Sequence, residues 1–482
     1  MNFDILQSPL DFLHQEIGDI AHEETLRSYE NSWEKDGKVI SAAIDRNGTP
    51  WLRMFDPFGK RIDEILLPQE YWKLVKNGYK VGAVWRVFEE DSLLTSYLQG
   101  YITSFYDSGL YCPYTVSLAT AVSIDKYASE SLKACFLPQL LKRDKTVWQG
   151  ATWMTEIKGG SDLGANTETV AKLSEDSWFL TGEKYFCSNV QAEMAVVAAH
   201  IEGAQRNVRG LALFLVPKFR QDGNLNYHIR RLKNKIATRS VATGEVELRA
   251  SEAYLLGRPE VGIYLIMEVL NISRVANSMA SMALAQRALF EAWNFARQRH
   301  AFAKPIIEHG LLQQQFKDRF KQLHGGFTLS WEAAKMLDEV WRETPPYSER
   351  HHLFRLLAHL SKYWSAEFAV QSAKWAIEVY GGIGVLEEYG VERWLREAMI
   401  LQIWEGTPHR QILDGLEVME HKGAHLLLFD YLQGRTPKMG FKSMRARVES
   451  HLKLPQTEKE AKSESLFSDL ALFTINALTS KS

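Results

Sequence analysis

From the N-terminus to about Lys145, apolar residues recur mainly at helical spacing: Tyr71, Leu74 and Tyr79, then Leu93, Leu94, Tyr97, Leu98 and Tyr101, then Leu132, Phe136, Leu137, Leu140 and Leu141. Asp45–Thr49 and Gly59-Lys60 interrupt the pattern and predict a loop or short strands. The first 147 residues are therefore expected to form a helical domain with an irregular N-terminal arm.

Near Trp148 the pattern changes. Turn-forming groups such as Ser174-Glu175-Asp176 and Thr181-Gly182 bracket short apolar runs at Trp178–Leu180, Met194–Ala199, Leu211–Val216 and Val241–Leu248. Short runs separated by turn residues predict an antiparallel β-domain over residues 148–256.

Long helical periodicity returns past Val261. A Pro-free stretch over Gly262–Arg299 carries Leu265, Val269, Ile272, Val275, Met279, Met282, Leu284 and Ala288 as an apolar stripe. Leu311–Leu337, Phe354–Val379 and His409–Leu432 continue in the same way, with breaks at Pro305, Thr344-Pro345-Pro346 and Gly381-Gly382. Such helices pack as an antiparallel bundle, here a four-helix bundle over residues 257–433. Residues 434–482 form a helical extension that starts basic, with Arg435, Lys438, Lys442, Arg445, Arg447 and Lys453 against Glu449 alone, and ends on a helix with Leu466, Leu470, Phe473 and Ala477. The predicted class is α+β, in the order helical, β, helical.

Composition narrows the function classes only slightly. The chain has 482 residues, and its 57 Lys and Arg nearly balance 59 Asp and Glu, so no global field draws it to nucleic acid or anionic membrane. Cys112, Cys135 and Cys187 lie far apart without a C-x-x-C pair, which argues against a disulfide framework or a thiolate metal site. No secretory signal and no bilayer-length apolar run is visible, so a cytoplasmic protein without a metal is expected.

The candidate chemistry starts at Ile403-Trp404-Glu405-Gly406-Thr407-Pro408. Glu405 follows an apolar approach, and desolvation there would raise its pKa and make it a usable base. Gly406 permits a tight bend, and Pro408 suits the first turn of a helix starting near His409. The segment by itself also fits an acid that favours a helix N-terminus. A second stretch, Trp153-Met154-Thr155-Glu156-Ile157-Lys158-Gly159-Gly160-Ser161-Asp162, fits close backbone approach to a ligand, or an ordinary turn.

Taken together, five segments resemble one family. Met154–Asp162 is similar to the M-T-E-x-x-x-G-S-D loop of the acyl-CoA dehydrogenases, and Lys184–Asn189 resembles their K-x-[WF]-x-[ST]-N strand. Arg299–Pro305 resembles the R-x-x-F-G-K-P turn, with Ala303 in place of the glycine, and Tyr380–Glu388 resembles G-G-x-G-Y-x-E-E. Ile403–Thr407 falls where the family keeps its catalytic carboxylate. All five occur in family order over roughly residues 50–430, and the wording resembles the AidB-like branch.

The resemblance implies an FAD-dependent acyl-CoA dehydrogenase with Glu405 as general base. It assigns Met154, Thr155, Ser161, Phe186, Ser188, Arg299, Phe302, Glu378, Gly382 and Thr407 to the cofactor, and Ser161 and Arg274 to the substrate. It also implies an electron-transferring flavoprotein or another electron acceptor. Arg299 and Phe302 would reach a neighbouring subunit, in at least a dimer and commonly a homotetramer. The alternative is an AidB-like flavoprotein that binds DNA through the basic stretch and has weak dehydrogenase activity. Asn271, Ile272 and Ser273 offer no rival base near Arg274.

Overall fold

The computed structural model describes residues 3–435 and 438–480, with the side chains of Lys438 and Met439 outside the described set. Its elements begin with helices α1 (Pro9–Ile17), α2 (Glu23–Ser32) and α3 (Lys38–Asn47), a hairpin of β1 (Trp51–Phe55) and β2 (Arg61–Leu66), and helices α4 (Gln69–Val81), α5 (Trp85–Glu90), α6 (Leu94–Tyr106), α7 (Ser108–Tyr127) and α8 (Glu130–Leu140). The N-terminal arm is helical where the sequence suggested irregularity. Ser8 caps α1 by accepting from the Asp11 N–H at 3.0 Å, and Pro9 stands at its first turn. The interruption at Asp45–Gly59 resolves into the end of α3 and the β1–β2 hairpin.

Strands β3 (Gly150–Trp153), β4 (Val170–Ser174), β5 (Ser177–Ser188), β6 (Met194–Ile201), β7 (Leu211–Pro217), β8 (Tyr227–Leu232) and β9 (Thr243–Leu256) follow. Helices α9 (Gly262–Gln298), α10 (Gly310–Val340), α11 (Glu349–Tyr380), α12 (Glu392–Ile403), α13 (Pro408–Lys422), α14 (Ala424–Tyr431), α15 (Lys438–Leu452) and α16 (Gln456–Thr479) complete the chain. A small hairpin, His300–Ala301 with Lys304–Pro305, separates α9 from α10. The expected continuous helix His409–Leu432 is split, because Gly423 adopts the left-handed conformation (φ 62°) that terminates α13. The chain forms two compact units. One comprises Met1–Glu23, Gly100–Tyr106 and Arg274–Ser482, and the other Glu24–Gln99 and Asp107–Ser273.

In the second unit the strands close on themselves. β6 pairs with β4, β4 with β5, β5 with β9, β9 with β7, and β7 again with β6, while β3 and β8 add to β6 and β9. Closure removes the free edges that an open sheet would expose. The sheet is antiparallel except at β6, which runs parallel to β3 and β4. Alternation reports which face of a strand is buried but not its partner's direction, so this mixed pairing was invisible in the sequence. Ala171, Leu180, Val197, Phe214, Val216 and Val246 fill the interior. Helix α7, capped by Asp107 accepting from Leu110 N–H at 2.9 Å, packs on β3, where Thr120 Oγ1 donates to Ala151 O at 3.1 Å.

In the first unit α11 is central, packing against α10, α12, α13, α14 and α16. At Gly326 of α10 a Cβ would lie 2.2 Å from the Trp364 ring of α11, so only glycine permits that approach. Every residue of the stripe expected on α9 is buried. The arm is tied to the same unit by Gln286 Nε2, which donates to Leu6 O at 3.0 Å, and by Phe12 stacked on Tyr101.

Candidate active site

Glu405 lies between two helices that the local sequence terminates and restarts. α12 ends at Ile403 with Trp404 extended, Glu405 takes φ 60° and Gly406 φ 102°, and Thr407 is the N-cap residue of α13 with Pro408 in its first turn. A left-handed glutamate is unusual and costs on the order of 1–2 kcal/mol. The surroundings over-determine it. Glu405 O accepts from Arg274 Nε at 3.1 Å and Gln411 Nε2 at 3.0 Å. Gly406 O accepts from Gln411 Nε2 at 2.9 Å and Lys362 Nζ at 2.8 Å. Both carbonyls of the turn therefore carry two donors each.

The donors are fixed in turn. Arg274, expected beside the substrate, is buried and donates to Asp414 Oδ2 at 3.0 Å, while Arg410 Nε holds Asp414 Oδ1 at 2.7 Å. His359 Nδ1 meets Gln411 Oε1 at 2.9 Å, orienting the amide, and burial with nearby Arg274 pushes the imidazole down to about 3, leaving it neutral.

No hydrogen bond reaches the Glu405 carboxylate among the described residues. It retains partial exposure, yet dense surroundings raise its pKa to about 7 against the opposing pull of Arg274 and Lys362. Its main-chain N–H is likewise uncommitted to any main-chain carbonyl among the described residues. A carboxylate poised near neutrality beside a free N–H can take a proton from a carbon whose neighbouring carbonyl that N–H polarises.

In the other unit, the Met154–Asp162 loop leaves β3 and is clamped from behind. Glu156 accepts from Glu168 N–H at 2.5 Å, Thr169 N–H at 3.2 Å and the fully buried Lys184 Nζ at 2.6 Å, and Lys184 also reaches Met154 O at 3.3 Å. Burial opposes ionisation of Glu156, but Lys184 and these bonds hold its pKa below the usual carboxylate value. β5 bulges between Lys184 and Cys187, so Tyr185 N–H leaves the ladder for Thr155 O at 3.0 Å. A bulge re-aims side chains, and Phe186 stands half exposed there, 4.8 Å from Lys233 Nζ. Met154 is buried, Ser161 is exposed, and Ser188 Oγ meets Thr243 Oγ1 at 3.3 Å.

Arg299 and Gly382 lie just beyond the ends of two helices that meet at one end of the bundle. Phe295 of α9 stacks on Tyr380 of α11 at 4.2 Å, joining the ends that carry Arg299 and Gly382. Arg299 is exposed, Phe302 is 92% exposed at φ 52°, and Ala303 follows at φ 66°. Glu378 is exposed and paired with Lys374, and nothing lies within 4 Å of where a Gly382 Cβ would stand. The Thr407 hydroxyl makes no capping bond. In the basic extension, Arg445 pairs with Glu449 and Arg447 with Asp469, so these two charges are matched.

Residues 3–145 match the family model of the adaptive response protein AidB N-terminal domain, 151–251 the acyl-CoA dehydrogenase middle domain, and 260–419 the acyl-CoA dehydrogenase C-terminal domain. Acyl-CoA dehydrogenase family member 11 of Caenorhabditis elegans is 30% identical over 449 residues, covering 87% of this chain and 72% of that protein. The chain belongs to the acyl-CoA dehydrogenase family. Within it, the putative acyl-CoA dehydrogenase AidB of Escherichia coli K12 is 29% identical over 434 residues, 85% of this chain and 76% of that protein. Bd2924 in its apo form superposes with a TM-score of 0.86 at 26% identity, over 100% of this chain and 97% of that one. The Caenorhabditis elegans ACDH-11 structure with C11-CoA gives 0.83 at 25% identity, over 99% and 88%. The cofactor that goes with this family is FAD. Features that suit such a group occur in each unit taken by itself: a half-exposed aromatic ring at Phe186 in one, and an uncommitted hydroxyl at a helix N-terminus at Thr407 and open space at Gly382 in the other.

Lys362, His359, Gln411 and Asp414, like the Glu156–Lys184 pair, were not singled out by the sequence. For Lys362 a signal existed: Ala358, Lys362, Ser365 and Ala369 follow the buried stripe of α11, and a lysine there needs a reason.

Proposed function

We propose that this protein is an FAD-dependent acyl-CoA dehydrogenase that desaturates the α,β bond of an acyl-CoA thioester, with Glu405 as general base. The observation that carries the reading is the Glu405 carboxylate itself, free of hydrogen bonds on a doubly anchored turn, with burial lifting its pKa to about 7. Glu405 takes the α-proton, and its own N–H polarises the thioester carbonyl that makes this proton acidic. Bound FAD supplies the acceptor for the hydride leaving the β-carbon. Met154, Thr155, Ser161, Phe186, Ser188, Arg299, Phe302, Glu378, Gly382 and Thr407 would hold it. Ser161 contacts the acyl-CoA, and Arg274 serves by gripping Glu405 O and Asp414.

The exposure of Arg299 and Phe302 supports their use by a second copy of the chain, in a homotetramer, and an electron-transferring flavoprotein or equivalent acceptor would reoxidise the flavin. Anaerobic titration of the flavin-loaded protein with short-, medium- and long-chain acyl-CoAs, C11-CoA included, tests the reading. Bleaching of the flavin by at least one of them, lost in Glu405→Gln with flavin still bound, is the expected result. Failure of every one to bleach a bound flavin overturns it.

A further inference from the structure

A lysine buried in the middle of α11 stands outside the roles given so far. Lys362 has 1% relative exposure, and its ammonium donates to Gln402 O and Gly406 O, both at 2.8 Å. Gln402 belongs to the last turn of α12, whose carbonyls lack intrahelical partners, so the ammonium also meets the negative end of that helix. Lys362 thus bridges the helix that ends before Glu405 and the turn that carries it. Neither acceptor is a carboxylate, so the ammonium has no directly bonded counter-ion among the described residues.

Other charges surround it, Arg355 of α11 among them, which acts on Arg274 and His359. The electrostatic neighbours of Lys362 are Glu405, which favours its charged form, and Arg274 of α9, which disfavours it. Arg410 and Asp414 of α13 bind each other, with Asp414 also held by Arg274. On α11 itself, His359 is neutral and Glu367 accepts from Gln402 Nε2 at 2.5 Å. Glu332 of α10 is bonded to Tyr431 of α14, His425 of α14 meets Met419 O at 3.2 Å, and Glu464 of α16 acts on the neighbouring Tyr363. Glu405 is the anion that acts on Lys362 through space, and Arg274 acts on Glu405 more strongly than Lys362 does. An ammonium buried without a bonded anion is costly, and Glu405 is favoured in its ionised form by the same through-space interaction.

We propose that Lys362 is a positioning residue of the active-site turn, holding it through Gln402 O and Gly406 O and adding to Arg274 a second positive charge that favours the ionised Glu405 carboxylate. The inference rests on the reading of Glu405 as the base, but it concerns the proton on Glu405 and can be tested without turnover. Burial lowers the Lys362 ammonium to about 7 and raises Glu405 to about 7, in each case against the pull of the other's charge.

The experiment is an infrared pH titration of the flavin-loaded, full-length protein without acyl-CoA. The carboxyl band of Glu405 is the one that Glu405→Gln removes. Lys362→Gln keeps a donor for the carbonyls and removes the charge, so the midpoint of that band should rise by about one pH unit, a tenfold change in proton affinity. Lys362→Arg keeps the charge and should leave the midpoint near that of the wild type. Lys362→Met covers a failure of the glutamine variant to fold and carries the same upward expectation. A midpoint unmoved or lowered in the neutral variants overturns the proposal, because Lys362 would then be a hydrogen-bond donor alone. An enzyme that no acyl-CoA bleaches, yet whose band moves upward, would instead leave this proposal standing and remove the dehydrogenase reading.

Discussion

Two loops of this protein are each held by a buried lysine, and both lysines favour an ionised glutamate, one through a direct hydrogen bond and the other only through space. At Met154–Asp162, Lys184 bonds the Glu156 carboxylate directly, and two main-chain N–H groups add to it, so Glu156 is pinned, ionised and inert. At the Glu405 turn, Lys362 bonds only carbonyls among the described residues, and the carboxylate, with no hydrogen bond from any of them, is raised by burial to about 7. The same pair of residue types gives a structural clamp in one unit and a candidate base in the other. What differs is where the ammonium's hydrogen bonds go. A carboxylate that accepts them is stabilised as an anion and loses basicity, whereas one influenced only through space keeps its lone pairs.

The largest expected effect breaks the first clamp. Glu156→Gln leaves Lys184 as an uncompensated buried charge and should cost about 3–5 kcal/mol, read from urea unfolding. The counterpart, Glu405→Gln, has no carboxylate hydrogen bond to lose among the described residues and removes only a through-space partner of Lys362, so its cost should be clearly smaller than that of Glu156→Gln. The rate of flavin bleaching by a reactive acyl-CoA should nevertheless fall by about 10²–10⁴-fold. If the two substitutions cost similar stability, the contrast between the loops is wrong.

A smaller effect sharpens the electrostatic side. Glu405 accepts a proton only when ionised, so the bleaching rate should be low in acid and rise with pH, with a midpoint at about 7 in stopped-flow measurements. A midpoint close to an ordinary glutamate, about 4.3, would show a carboxylate that is solvated in practice. The smallest effect separates strain that serves chemistry from strain that does not. Ala303 sits at φ 66° just as Glu405 sits at φ 60°, yet its methyl bonds to nothing. Ala303→Gly should stabilise the protein by about 0.5–1 kcal/mol in thermal or urea unfolding, with bleaching unchanged.

Much of this was legible in the sequence, and the rest was hidden for definite reasons. The helical, β and helical stretches followed from apolar spacing, and Glu405-Gly406-Thr407-Pro408 disclosed both a bend and a helix start, which α13 realises at Pro408. The clamps were hidden because their members are distant in the chain. Lys184 lies 28 residues from Glu156, and Lys362 lies 40 and 44 from its two acceptors. The closure of the barrel and the parallel neighbours of β6 were hidden too, because alternation is the same for either strand direction. Helix capping explains the arm: Ser8-Pro9 is a start signal that apolar spacing alone overlooks.

The anchoring of the Glu405 turn through main-chain oxygens has an evolutionary consequence. Carbonyls are the same whatever residue bears them, so the grip of Arg274, Gln411 and Lys362 does not depend on a carboxylate at position 405. A single codon change there would silence the proton abstraction proposed for Glu405 while leaving these main-chain contacts in place. Descendants of such a chain can drift to other tasks on an intact scaffold, and only selection on the reaction itself retains the glutamate.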